Sequence, residues 1–118
     1  MASTADLFQF VFLIVRSIFV LIGPKPIEDI FLKNRLEDQF SINAGGNLEI
    51  KFESSDPAAI NYYLKLLEAL ARLAKNVFGK QYANNLFLQH YEKIKSWSQT
   101  SEETETIKQV LDKITKDA

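Results

Sequence analysis

The chain has 118 residues, enough for one domain to bury a core without disulfide or metal staples. Apolar residues make up 47% and charged residues 25%, the ordinary globular range, which sets aside a disordered or fibrous chain. Cysteine is absent, so disulfides, zinc thiolates and cysteine nucleophiles are excluded, and a net charge of −1 argues against a protein whose main business is a phosphate backbone.

The charge is uneven along the chain. Residues 24–56 hold four Lys/Arg and seven Asp/Glu, residues 57–100 hold six Lys/Arg and two Glu, and the stretch from Ser101 holds three Lys and five acids. An intramolecular match between an acidic and a basic half is the simplest reading. The alternative is a basic surface for an anionic partner.

The first predicted element is the most informative. Ser3 followed by Asp6 resembles a capping box, and a helix over 6–22 carries the nearly unbroken apolar run Leu7–Ile22, interrupted by Arg16. A spanning helix needs roughly 20 apolar residues to cross about 30 Å of hydrocarbon. This run covers only about 24 Å at 1.5 Å per residue, and Arg16 near its centre adds about 2.5–3.5 kcal/mol of insertion cost. A signal peptide also fits poorly, because Gly23-Pro24-Lys25-Pro26 offers no small-x-small cleavage site. Around the helix, Gln9, Arg16 and Ser17 share one narrow face that Leu13 and Val20 complete, and every other direction is apolar. Such a helix must be covered. Three coverings compete: its own chain, an identical or different subunit, or a membrane through residues 7–22 with Arg16 snorkelling. Complete coverage by so small a domain looks hard to arrange, so Phe8, Phe12, Val15, Arg16 and Phe19 are the candidate interaction residues.

Gly23-Pro24 stops this helix, and Pro26 opens a second over 26–39, with Ile27, Ile30, Phe31 and Leu36 on its buried side. From Phe40 to Phe52 the even positions Phe40, Ile42, Leu48, Ile50 and Phe52 are apolar and their neighbours polar. That period of two predicts a β-hairpin over 40–52, pairing Phe40 with Phe52 and Ile42 with Ile50 around a Gly45-Gly46-Asn47 loop. Asp56 and Pro57 start a central helix over 57–78, which has one polar stripe and two apolar ones, and Gly79 caps it. A helix over 80–97 carries Ala83, Phe87, His90, Ile94 and Trp97 on one stripe. Thr100 and Glu103 form a second capping box for a last helix over 101–116, with Ile107, Val110, Leu111 and Ile114 apolar. The predicted fold is mainly α, about five helices with one small antiparallel β-hairpin, in a single compact domain spanning 1–118.

Candidate chemistry is sparse. His90 is the only histidine and the only plausible general base or phosphoacceptor, yet its stripe is the one a helix buries, which favours a packed, hydrogen-bonded imidazole. The neighbouring acids Glu28-Asp29, Glu37-Asp38 and Glu102-Glu103 point about 100° apart on a helix and do not converge on one substrate atom. With one His and no Cys, a transition-metal site would need a carboxylate cluster that the sequence does not show. Gly45-Gly46 joins two strands, so it reads as a turn and not as a phosphate loop. The Ser/Thr-rich stretch from Ser96 to Thr106 is explained by helix capping before phosphorylation need be invoked.

The expectation is therefore a cytoplasmic, non-enzymatic helical assembly module without catalytic, cofactor or metal residues, joining a second copy or another protein through its first helix. A helix, a hairpin and long helices also resemble in outline a winged-helix DNA-binding regulator, with 26–39 as reading helix and 40–52 as wing. That reading ranks second, because Glu28, Asp29, Glu37 and Asp38 would repel phosphates and Asn43 to Asn47 carry no Lys or Arg. A membrane-associated accessory role ranks third.

Overall fold

A computed structural model describes residues 5–53, 55–97 and 101–116, without the side chains at positions 5, 97, 101–104, 106 and 114–116. The proposed caps at Ser3 and Thr100 thus lie outside the described residues. The first helix, α1 (Ala5–Ile22), buries Leu7, Phe10, Val11, Ile14, Val15 and Ile18 at steps of three and four. Its last turn is closed by Gly23 at φ 82, whose N–H bonds Phe19 O at 2.8 Å.

The second helix, α2 (Lys25–Lys33), is shorter than the predicted 26–39. Its buried residues are Ile27 and Phe31. The next helical positions on that face are Asn34, Arg35 and Asp38, all polar, and the next core residue is Leu36, off the helical step. The chain therefore leaves the helix through a Schellman motif: Arg35 adopts φ 57, Leu36 N–H bonds Phe31 O at 2.7 Å and Arg35 N–H bonds Leu32 O at 3.2 Å. This turn delivers Leu36 to the core at 1% exposure.

Strands β1 (Phe40–Ile42) and β2 (Leu48–Ile50) form the expected antiparallel hairpin, but its register differs by two residues. Phe40 pairs with Ile50 and Ile42 with Leu48, not Phe40 with Phe52. Either register keeps the apolar residues on one face, so the turn decides between them. Asn43 Oδ1 accepts the N–H groups of Gly45 and Asn47 at 2.9 and 3.0 Å, and Asn43 N–H bonds Asn47 O at 3.0 Å. The loop is thus Ala44-Gly45-Gly46, with Gly46 at φ 82 supplying the left-handed position that ends a three-residue connection. Freed from the ladder, Phe52 packs its ring edge-on or tilted against Phe40, Tyr62 and Tyr63 at 5.5, 5.1 and 5.5 Å between centroids.

The third helix, α3 (Ala59–Phe78), begins two residues after the predicted start. Ala59 N–H reaches only three residues back, to Asp56 O at 2.9 Å, so residues 57–58 form a tight turn. Asp56 Oδ1 accepts from Ala58 N–H at 2.8 Å, closing this turn ahead of the helix, whose own N-cap position is Ala58, without a side-chain cap, and not the expected Asp56. Helices α4 (Lys80–Trp97) and α5 (Ser101–Lys116) match their predicted spans, and Gly79 makes the sharp bend into α4.

Both α1 and α3 pack against every other helix, and α1 also meets β2. The structure has two central helices where the sequence pointed to one. That shared centre is how so small a chain covers most of its first helix: hairpin, α2, α3, α4 and α5 each take a sector. Full burial of side chains such as Phe10 and Ile14 contributes about 1.5–3 kcal/mol apiece. No helix among the described residues is long and apolar enough to cross a membrane. Glu68 pairs with Arg72 within α3 and with Lys113 of α5, the second pair fastening α5 to α3.

Candidate functional site between the first and fourth helices

The sequence-predicted interaction residues divide sharply. Val15 is wholly buried within the chain. Phe8 and Phe12 are half-buried and pack on each other at 5.8 Å, with Phe8 also 6.1 Å from the Tyr63 ring. Phe19 is half-buried against the hairpin loop. Only Arg16 is exposed, and its Nη1 donates to Asn47 Oδ1 at 2.6 Å. An arginine in an apolar helix is thus resolved at an aqueous edge, against an amide and not against one of the acids at 28–38.

The exposed sector of α1 is the face that Gln9, Arg16 and Ser17 mark. It forms one wall of a groove of about 430 Å³, whose other wall is α4. Leu13, Arg16, Ser17, Val20 and Leu21 line it from α1; Tyr82, Leu86, Gln89, His90 and Lys93 line it from α4. Val20 is 73% exposed, Leu21 50% and Tyr82 47%. None of these three is among the candidate interaction residues read from the sequence, although Val20 falls on the polar face of the helix. The signal was nevertheless present in Val20, an apolar residue continuing a polar stripe.

At the base of the groove, Ser17 Oγ and His90 Nε2 share a hydrogen bond at 2.8 Å. The hydroxyl donates when His90 carries its proton on Nδ1 and accepts when the proton sits on Nε2. Burial holds the imidazole below its ordinary value of 6.5, and the Lys93 ammonium pushes the same way, so His90 is neutral at pH 7. His90 therefore packs and bonds as expected, but at the half-buried rim of its stripe while Ala83, Phe87 and Ile94 fill the core.

A serine 2.8 Å from an imidazole is the contact of a nucleophile and its base. Among the described residues, His90 Nδ1 is buried without a hydrogen-bond partner, and no carboxylate lines the groove to orient the ring. Ser17 lies in mid-helix, where backbone N–H groups are committed to the ladder and none is offered to an oxyanion. The pair joins α1 to α4 and gives the groove a polar floor.

Elsewhere, a smaller hollow of about 250 Å³ lies between α2 and the hairpin, beside Leu32, Glu28 and Glu37. Glu28, Asp29, Glu37 and Asp38 are all exposed, while the side chains of Glu102 and Glu103 lie outside the described residues. No group of three or more His, Asp or Glu that could hold a metal ion occurs among the described residues. No protein-family model, curated protein or solved structure matches the chain.

Proposed function

We propose that the protein is a non-enzymatic helical interaction module that docks a partner through the exposed stripe of α1. The observation that carries this reading is the convergence of Val20, Leu21 and Tyr82, three large apolar side chains about half exposed or more, in one groove. Scattered single apolar residues need no explanation, whereas grouped ones in a concavity mark contact surfaces. The docking face is not the one formed by Phe8, Phe12, Val15 and Phe19, because the chain uses those side chains for its own core and hairpin contacts. Neither a serine hydrolase nor a histidine phosphoacceptor draws support from the Ser17–His90 pair, for want of the orienting and charge-stabilising groups described above.

A photo-crosslinking residue placed at position 20 of the full chain, in cells producing it, tests the reading. Covalent adducts with a second copy or another protein should form from position 20 and not from Lys65, which is exposed on α3. A chain that forms no adduct from position 20 above the Lys65 background would remove the docking role. Salt-dependent retention on DNA would transfer support to the regulator reading.

A further inference from the structure

We infer that the outer edge of β1 is a second docking surface, which takes an extended segment of a partner protein as a third strand. This goes beyond the α1/α4 groove and does not depend on it. Lys51 N–H bonds Gln39 O at 2.8 Å, and Asn43 N–H bonds Asn47 O at 3.0 Å. Ladder bonds alternate along an antiparallel pair, so Gln39, Ser41 and Asn43 face β2, while Phe40 and Ile42 turn their main-chain groups outward. Phe40 N–H is spent on Leu36 O at 2.9 Å. Phe40 C=O and both main-chain groups of Ile42 have no hydrogen-bond partner among the described residues. Such a row of outward donors and acceptors is a template for another strand.

The edge also borders a concavity. Phe40, Ser41 and Ile42 form one wall of the hollow of about 250 Å³, and Phe31 and Leu32 of α2 belong to the other. Leu32 is 62% exposed, although it directly follows Phe31, which the core buries. The occupant is fixed by what the edge demands. A helix commits its N–H and C=O groups to its own ladder and cannot meet those of β1. An extended chain can, with one bond at Phe40 and two at Ile42 in either direction, while alternate side chains enter the hollow beside Ile42 and Leu32. A second copy fits less well. Two-fold pairing of β1 with β1, centred on Ser41, would set Ile42 C=O opposite a Phe40 N–H that Leu36 already holds. The segment is thus a strand of another protein, with apolar residues on the face that meets the hollow.

The probe is an end-blocked peptide of about eight residues alternating Thr and Val, long enough for one strand. Its control has the same side chains with the central main-chain nitrogens methylated. Titrated into the full ¹⁵N-labelled chain, the parent peptide should saturate with a Kd of about 1 mM or tighter. The Ile42 amide should move downfield and exchange its hydrogen more slowly as the new bond forms. The methylated peptide should bind at least about tenfold more weakly, because its donors are gone. Ile42→Pro should weaken binding of the parent peptide to the same degree. It removes an N–H that the hairpin does not use, and an edge position tolerates proline. The methylated peptide decides the matter even where Ile42→Pro disturbs the fold. Val20→Asp should leave binding unchanged, which separates this edge from the α1/α4 groove. Equal binding of the two peptides would overturn strand addition, as would absence of saturable binding or an unmoved Ile42 amide. An Ile42 amide that shifts with protein concentration alone would overturn it in favour of a second copy.

Discussion

The ring of Phe19 occupies the space that any side chain at Gly46 would need. A Cβ built on Gly46 would stand 2.6 Å from Phe19 Cγ and 2.7 Å from Cε1, well inside contact distance, and Gly46 also holds φ at 82. The hairpin tip is thereby set against α1 by a close approach between backbone and ring. The neighbouring bond from Arg16 to Asn47 reinforces the same junction.

Replacing Gly46 with Ala should therefore destabilise the protein twice over. A left-handed non-glycine residue costs about 1–2 kcal/mol, and forcing a methyl group into occupied space costs about 1–3 kcal/mol. The expected loss in a urea titration is about 2–5 kcal/mol. In a Phe19→Ala background the steric part should vanish, leaving about 1–2 kcal/mol. An undiminished penalty in that background would mean the ring and the glycine are not coupled.

How much of this could be read from the residues depends on what kind of signal each feature leaves. Helices α4 and α5 were legible in full, because apolar steps of three and four persist to their ends. The end of α2 was not, because its left-handed exit is taken by Arg35 where a glycine would have announced it. Hairpin existence was legible and register was not, since a period of two admits every pairing shifted by two residues. The two side chains of the Ser17–His90 bond are 73 residues apart, and neither residue's surroundings in sequence point to the other. The candidate groove was half legible: the polar stripe of α1 was read correctly, but Phe8 and Phe12 drew the interaction role because their hydrophobicity outweighed their position.

The two faces of α1 should respond oppositely to truncation. Phe10 is fully buried, 6.0 Å from the Phe87 ring in an edge-to-face contact, and Phe10→Ala should cost about 3–5 kcal/mol. Val20 is 73% exposed, so Val20→Ala should fall within about 0.5 kcal/mol of the parent. Denaturant midpoints of the two variants, compared at equal m-values, provide the check. A costly Val20→Ala would place that residue in the core and close the groove as a docking site.

Arg16→Leu should leave stability within about 1 kcal/mol of the parent, since an exposed, solvent-screened contact to Asn47 is all that it removes from the fold. Its effect should appear in solution behaviour, as greater concentration-dependent association by light scattering, because the groove loses a charge and gains an apolar side chain. An unfolded Arg16→Leu protein would show that the guanidinium is structural.

The depressed protonation of His90 sets a pH dependence with a definite sign. Above the ordinary imidazole value of 6.5 the residue is neutral in both folded and unfolded chains and contributes no slope. As pH falls below 6.5, the unfolded chain takes up a proton before the native one does, so stability drops. The drop levels off once the native imidazole is protonated as well. The melting temperature of the parent should thus decline through this window relative to His90→Gln, which has no titrating ring. Near pH 7 the substitution itself should cost about 1–2 kcal/mol through the bond to Ser17. Parallel curves for parent and variant would show that the imidazole is equally accessible to protons in both states.

Arg35 offers the opposite kind of test, a substitution that should strengthen the fold. It is the only non-glycine residue with positive φ among the described residues, and it holds that conformation because Leu36 must turn into the core immediately after α2 ends. The left-handed backbone costs an L-residue about 1–2 kcal/mol, which glycine avoids. Glycine in turn adds about 0.5–1 kcal/mol of unfolded-state entropy to be lost on folding. The Arg35 side chain is exposed, so its removal sacrifices little packing. The balance favours Arg35→Gly by about 0.5–1 kcal/mol, read as a higher urea midpoint at unchanged m-value. Arg35→Ala, which keeps the strain and loses only the side chain, should stay close to the parent. If Arg35→Gly is destabilising while Arg35→Ala is neutral, the Schellman exit is not the strained joint described here, and α2 continues toward its predicted end at residue 39.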